Sequence, residues 1–409
     1  MGNSSSDRTL NMSVRTAKSQ VSLPSLSMIG IICTMLNGFG ARGLYNSQEI
    51  GLGKAIAKLT GQKVVIYKAV RKEDVQDTES INDNVTVKYI RCTRIGNAHG
   101  YMNIKWLDTE WHGEKMNALI CFCDQQIFIP HISRFCRKNG IQMLLYTGII
   151  RSNRGGINAL ISDILFRLGT KRLYRKLPVV AKTRGVAGEL SAIGAGHVPV
   201  APVGIDFHSM YENWRAENRD QIRKDFGYEP DDIVILCISR MEKEKNIMDL
   251  IPLAEQCRQN KKIKFFVIGT GRQEEEFKQV VIERHLKERF QIVDKIPHAD
   301  IWKAYIAADY FANVCRDEIF GMAIMESVYY ETPVVAIHAY GPDTILNDMK
   351  GSVAVSNTDQ MAEVLLDTLP SPEILRQDAN AIQKFTWEHT AKIMINAIDL
   401  PLDSTELEE

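Results

Sequence analysis

The sequence has no apolar run approaching the ~18–20 residues that span a bilayer. The stretch Met28 to Leu36 is apolar but short, and it flows into a glycine loop, so it reads as a buried first strand rather than a signal peptide. Net charge is also lacking, because fifty basic and fifty acidic residues cancel. That argues against an electrostatic nucleic-acid binder. Solenoid-period repeats and extended low-complexity segments are missing too. The eight cysteines, at positions 33, 92, 121, 123, 136, 237, 257 and 315, sit mostly inside apolar stretches, as reduced core-packed thiols do. Cys121 and Cys123 form a C-x-C within a strand, which does not make a four-ligand zinc site. Neither a disulfide framework nor a structural metal is expected, and a reducing cytoplasm is the better fit.

At 409 residues the chain fits two domains of near-equal size. "MIGIICT" is a continuous apolar run, as a parallel strand covered on both faces should be. After "NGFGARG" a helix is expected from about Ser47 to Leu59, capped by Asn46 or Ser47, with Glu49 in its first turn and Gly61 closing it. Further strands are expected at "KVVIYKAV", "VTVKYI", "ALICFC", "QMLLYTG" and "LPVVAKT". Pro199, Pro202 and Gly204 interrupt the rhythm, which restarts with "DIVILCIS", a helix from about Asn246 to Asn260, "IKFFVIGTG", a helix to about Arg289, "FQIVDKI", "DYFANVC" and "PVVAIHA". Repeated β-α units imply two doubly wound parallel sheets of Rossmann type, α/β in class, with the hinge near residues 200–220. The expected division is a disordered leader over 1–27, a first domain over 28–205, and a second over 206–385. A C-terminal helix over 386–400, crossing back to the first domain, and an acidic tail over 401–409 complete it. The opening "MGNSSS" matches an acylation pattern at Gly2 and Ser6, and a Ser-rich leader is the plainer reading. Two such halves face each other across a cleft, and ligands of open α/β sheets bind at the carboxyl ends of the strands.

Two loops there carry chemistry. "CRDEIFGMAIMESVYYETPVVA" places Glu318 at a strand end, Gly321 at a helix entrance and Glu326 about two turns inside, with seven residues between the glutamates. Backbone N–H groups from Ile319 to Ala323 at a helix N-terminus suit a phosphate or a partly negative sugar oxygen. Two carboxylates beside them suit a polyhydroxyl ligand. A capping acid with a solvated helix glutamate would look the same, and spacing alone leaves both open. In "CISRMEKEKN", Arg240 and Lys245 put two cations after a buried strand, where they could neutralise an anionic leaving group. Alternating charge at 242–244 also allows a solvated turn.

Together, in this order, these segments resemble the retaining glycosyltransferases of the GT-B fold, the large family four. That family carries an R-x4-K pair, here Arg240 and Lys245, and an E-G-F-G-x-x-x-x-E motif, here Glu318 through Glu326. "ETPVVA", "VIGTG", "AADYFANV" and "NGFGARGLYNSQEIGLGKAIAKL" have look-alikes there, so the resemblance runs from Met28 to about Ala397. It implies a GT-B architecture of two Rossmann-like domains facing across a cleft. It implies that Glu318 contacts the transferred sugar, that Glu326 binds ribose hydroxyls, and that Arg240 and Lys245 hold the diphosphate. Phe320, Gly321, Met322 and Ala323 would present N–H groups, and Gly38, Phe39 and Gly40 would approach the donor phosphates. Catalytic roles then fall to Glu318, Arg240 and Lys245.

The implied function is transfer of a hexose-type sugar, with retention, to a glycan or lipid-linked glycan in cell-surface polysaccharide assembly. No cofactor is implied; a nucleotide sugar is the co-substrate, UDP-sugar ahead of GDP-sugar. Asp-x-Asp does not occur in the sequence, so the divalent-metal clamp of the other major glycosyltransferase fold is not expected. Two departures stand out. Ile319 replaces the usual glycine, so its turn must avoid positive φ or accept strain. The family's histidine after the fifth strand is replaced by Thr147 and Gly148, and His131 is better read as a solvated or packed residue. A basic stretch with Arg167, Lys171, Arg172, Arg175, Lys176, Lys182 and Arg184 fits either a solvated face or docking on an anionic membrane from the cytoplasmic side. The alternatives are a nucleotide-sugar epimerase on the same fold and a nicotinamide oxidoreductase. For the latter, "KVVIYKAV" ends without the acidic residue expected about 20 residues after the glycines.

Overall fold

A computed structural model describes residues 27–33, 48–70, 78–95, 99–101, 105–122, 129–150, 164, 166 and 170–402. The expected leader, the cap residues Asn46 and Ser47, the glycine loop with Gly38, Phe39 and Gly40, Cys123, Arg167 and nearly all of the acidic tail lie outside them.

In the first half the strands are β1 (Met28–Cys33), β2 (Lys63–Val70), β3 (Glu79–Asn82), β4 (Val85–Arg91), β5 (Thr93–Ile95), β6 (His99–Tyr101), β7 (Met116–Phe122), β8 (Gln142–Thr147) and β9 (Val179–Ala181). Seven of them form one sheet in the order β3-β4-β2-β1-β7-β8-β9, and β5 and β6 form a separate two-stranded ribbon. The sheet is parallel except at its edge, where β3 pairs antiparallel with β4. That edge departs from the all-parallel expectation. Its sequence, ESIN, alternates half-buried and exposed positions, which a one-sided edge strand can do and a central parallel strand cannot. β1 is central and buried along its whole length, which is why it reads as an unbroken apolar run.

The second half contributes β10 (Ile233–Ile238), β11 (Ile263–Ile268), β12 (Phe290–Val293), β13 (Tyr310–Asn313), β14 (Val334–Ile337) and β15 (Val353–Val355), in the order β12-β11-β10-β13-β14-β15 with every pair parallel. This is the 3-2-1-4-5-6 order of a Rossmann sheet, whose switch point lies between its first and fourth strands, here β10 and β13. The molecule is therefore α/β with two Rossmann-like sheets.

The helix expected from Asn246 to Asn260 is broken. Asn246 adopts φ 54°, ψ 30°, so a short 3-10 turn at Lys243–Lys245 ends there, and the α-helix itself runs only Leu250–Gln256. The helix expected to reach Arg289 stops at Glu283, with His285 at φ 56° beyond it.

The last helix, Trp387–Ala397, lies against the helix Gln48–Thr60 of the first half. Ile205 N–H donates to Phe385 O at 2.9 Å, and Thr390 Oγ1 donates to Pro202 O. The Trp387 indole occupies the space beside Gly51, where an added Cβ would lie 2.3 Å from Nε1.

Candidate functional site

Arg240 and Lys245 follow β10, Glu318 follows β13, and Tyr340 follows β14. These strands are neighbours, so parallel pairing gathers their carboxyl-terminal loops at one end of the sheet. Residues 73 apart in sequence then touch: Lys245 Nζ donates to Glu318 Oε2 at 2.8 Å, with side chains 20% and 15% exposed. Burial pulls the Lys245 ammonium down, but Glu318 and neighbouring Cys315 more than offset this, and the net shift is upward. Lys245 is therefore a fixed cation at neutral pH. Its loop is stitched to the Glu318 loop at three more points. Cys315 Sγ donates to Glu244 O at 3.3 Å, Arg316 N–H to Asn246 Oδ1 at 3.1 Å, and the Arg316 guanidinium to Asp249. The left-handed Asn246 thus turns its side chain into a brace. Arg240 is not drawn into this cluster; its guanidinium is 67% exposed, 3.8 Å from Glu244. Gly269, of "VIGTG", is packed against the same loop: an added Cβ would lie 1.9 Å from Ser239 O.

Ile319 is absent from the residues with positive φ, so its turn avoids the strain a β-branched residue would meet there. The positive φ, 104°, falls on Gly321, which starts the helix Met322–Tyr329. The first intrahelical bonds come from Ile324 and Met325, both to Gly321 O, so the amides at the helix entrance are those of Phe320 to Ala323, as expected for an uncapped N-terminus. Phe320 itself is buried against Phe385.

Glu326 does not share the Lys245 cluster. It is 6% exposed and accepts from Tyr305 Oη at 2.8 Å. Its carboxylate borders a cavity of about 270 Å³ walled by Tyr211, His298, Trp302 and Tyr330 among others. Burial holds the His298 imidazole below its ordinary value and lifts the Tyr330 phenol well above its own. A nucleoside-sized cavity with aromatic walls and one buried carboxylate can hold an aromatic base and a diol.

In the first half, Thr147 is fully buried with Oγ1 3.4 Å from Tyr174 Oη, and His131 lies exposed on the helix Ile129–Lys138. Lys182 requires correction. It does not belong to a surface basic patch, because it sits at the carboxyl end of β9, 5% exposed, with Nζ 4.5 Å from the Phe122 ring and 4.8 Å from the Tyr146 ring. Among the described residues the basic stretch includes a short helix. It spans Lys171–Tyr174, and the Arg175 side chain donates to Ile193 O at 2.8 Å. Tyr305, Lys182 and Tyr340 were not anticipated as site residues; nothing in their local sequence separates them from ordinary core or surface positions.

Residues 218–384 match the family Glycosyl transferases group 1. The chain is 22% identical over 182 residues to the alpha-monoglucosyldiacylglycerol synthase of Acholeplasma laidlawii, covering 44% of this chain and 46% of that one. It is 26% identical over 230 residues to the D-inositol 3-phosphate glycosyltransferase of Segniliparus rotundus, covering 52% and 50%. These matches span about half the length of each relative. Among solved structures, the sucrose-phosphate synthase of Thermosynechococcus elongatus superposes with TM-score 0.70 at 16% identity, covering 90% of this chain and 98% of that one. Anabaena HepE in complex with UDP-glucose superposes with TM-score 0.67 at 16% identity, covering 91% and 99%. The chain has the GT-B fold, and its second domain is similar over residues 218–384 to the glycosyl transferases group 1 family.

Proposed function

We propose that this chain is a retaining, metal-independent glycosyltransferase. It moves a hexose-type sugar from a nucleotide diphosphate sugar, a UDP-sugar ahead of a GDP-sugar, to a hydroxyl of a glycan or lipid-linked glycan in cell-surface polysaccharide assembly. The observation that carries this reading is the 2.8 Å contact between Lys245 and Glu318, which joins one member of the cationic pair to one of the two glutamates at the mouth of the second sheet. The diphosphate takes over Lys245, with Arg240 closing on it from solvent, and Glu318 is released to accept sugar hydroxyl protons. The amides of Phe320, Gly321, Met322 and Ala323 add partial positive charge where the leaving group develops its negative charge. Glu326, held by Tyr305, accepts from the ribose, and the adjoining cavity takes the base. Gly38, Phe39 and Gly40, which lie outside the described residues, would add to the donor site on the resemblance alone. The acceptor hydroxyl attacks the anomeric carbon on the face the diphosphate leaves. A new C–O bond forms as the bond to phosphate breaks, and a diphosphate oxygen takes the hydroxyl proton.

Among the described residues no helix is long and apolar enough to cross a membrane. Arg172, Arg175 and Lys176 are exposed and Lys171 half-buried. With Arg167 they support docking on an anionic surface at the inner face of a membrane, at about 1 kcal/mol per basic residue. Co-sedimentation with liposomes independent of anionic lipid would remove that part.

The test is a thermal-shift and hydrolysis screen against UDP-, GDP- and ADP-sugars with EDTA throughout. Stabilisation by one nucleotide class, with slow acceptor-free hydrolysis that Glu326→Ala and Arg240→Ala abolish, is expected. A response to no nucleotide sugar, or to NAD(H) alone, would sink the reading. Conversion of the nucleotide sugar without any acceptor or hydrolysis would point to an epimerase instead.

A further inference from the structure

Two side chains of the second domain reach across the cleft onto glycines of the first. Tyr340 opens the helix Tyr340–Leu346 and lays its ring over Gly185, where an added Cβ would lie 2.2 Å from Cδ1. Its hydroxyl donates to Glu189 Oε1 at 2.6 Å. Gly185 and Glu189 lie on one helix, Arg184–Ala192, of the first domain. Below this contact, Ile319 faces Gly148, where an added Cβ would lie 2.9 Å from Ile319 Cγ2 and 2.8 Å from Lys182 Cδ. Tyr340 and Ile319 are 42% and 39% exposed, so neither is a core residue of its own domain.

The Tyr340 contact is tied directly to the candidate site. Gly341 N–H donates to Glu318 O at 3.0 Å, and an added Cβ on Gly341 would lie 2.2 Å from Phe320 O. The start of the Tyr340 helix and the Glu318 turn are thus in backbone contact and must move together. A phenol donating to a carboxylate is a charge-assisted bond on a stiff side chain, able to fix one domain against the other at little entropic cost.

We propose that Tyr340 is a positioning residue for Glu318: seated on Gly185 and bonded to Glu189, it holds the two domains closed and sets where the Glu318 turn stands against the first-domain wall. The positioning half rests on the function proposed above; the closure half does not. The test uses Tyr340→Ala, Tyr340→Phe and Gly185→Ala in the full chain. Alanine is the better helix former, so Gly185→Ala keeps its helix while displacing the ring. Small-angle X-ray scattering of the nucleotide-free chain reads closure, and steady-state transfer reads kcat against donor KM.

Tyr340→Ala and Gly185→Ala, which unseat the ring and with it the hydrogen bond, are expected to raise the radius of gyration and to lower kcat about tenfold or more, with donor KM unchanged. Tyr340→Phe, which keeps the ring, is expected to fall between them and wild type. An unchanged radius of gyration in both variants overturns the proposal, and an expanded chain with unchanged kcat overturns the positioning role. A wild-type chain inert toward every nucleotide sugar, with Tyr340→Ala still expanding it, overturns the functional reading and leaves the closing contact standing.

Discussion

Removing the carboxylate from Glu318 should tighten binding of a bare nucleoside diphosphate while weakening catalysis. In the free protein Lys245 is engaged by Glu318 at 2.8 Å, so an incoming diphosphate competes with a resident anion. At an effective dielectric of about 20 the gross attraction at that distance is about 6 kcal/mol. Desolvation of both groups takes most of this back, as does screening through the 20% and 15% of side-chain surface left exposed. A remainder of about 1–2 kcal/mol is what the ligand must overcome, and Glu318→Gln removes it with little change in shape. UDP should therefore bind the variant about 5- to 30-fold more tightly than wild type.

The UDP-sugar should gain less or lose affinity, because the carboxylate that accepts its hydroxyl protons is gone, and turnover should fall. Lys245→Met should weaken both ligands about tenfold or more, since it removes the cation itself. Isothermal titration calorimetry of UDP and the UDP-sugar against wild type and the two variants checks this. Equal or weaker UDP binding by Glu318→Gln would show that the ion pair does not compete with the diphosphate, and the assignment of Lys245 as its ligand would be lost.

Three further outcomes follow from the packing. Arg223 is 2% exposed and donates to Ala307 O at 2.7 Å, to Asp309 Oδ2 at 3.0 Å and to Asp232 O, so Arg223→Met strands buried acceptors and should cost about 3–5 kcal/mol, read from the urea midpoint. Gly51→Ala improves helix propensity yet drives a Cβ to 2.3 Å from Trp387 Nε1; a net loss of about 1–3 kcal/mol is expected, and a stabilised variant would show that the C-terminal helix can shift freely. Burial depresses the His298 pKa below its ordinary 6.5, so its contribution is fully present above that value. As the pH falls below about 6.5 the unfolded chain takes up a proton the folded site refuses, and stability drops; His298→Asn should flatten that part of a urea-midpoint profile.

The sequence makes some levels of this structure legible and hides others for physical reasons. β1 and β10 declare themselves because central parallel strands are apolar on both faces. Glu318, Arg240 and Lys245 stand out because they follow such strands, and Glu326 because its spacing from Glu318 sets it inside the helix that comes next. β3 and the β5–β6 ribbon are short, polar and set by pairing, so no local pattern announces them. The missed break at Asn246 has a tertiary cause. Its side chain accepts from Arg316 N–H, 70 residues away, and that partner favours the left-handed conformation over a helix start. Lys182 shows the opposite error, since a lysine among other basic residues reads as surface until the end of β9 turns it inward between two rings.

What stays hidden longest is whatever joins the two domains. Composition marks a glycine as a place where the chain bends. Gly185, however, lies inside a helix, and its missing side chain is a hole for Tyr340, 155 positions on. Gly148 receives Ile319 in the same way. Neither member of such a pair carries a periodic or chemical signal, because each is complementary only to a distant surface. The positions where this chain departs from the pattern it resembles, Ile319 in place of glycine and Gly148 beside Thr147 in place of histidine, therefore explain one another. A larger side chain on one wall is admitted by a smaller one on the other. A substitution at either position should consequently be least damaging when the opposite position changes with it, as Ile319→Gly paired with Gly148→Ala would.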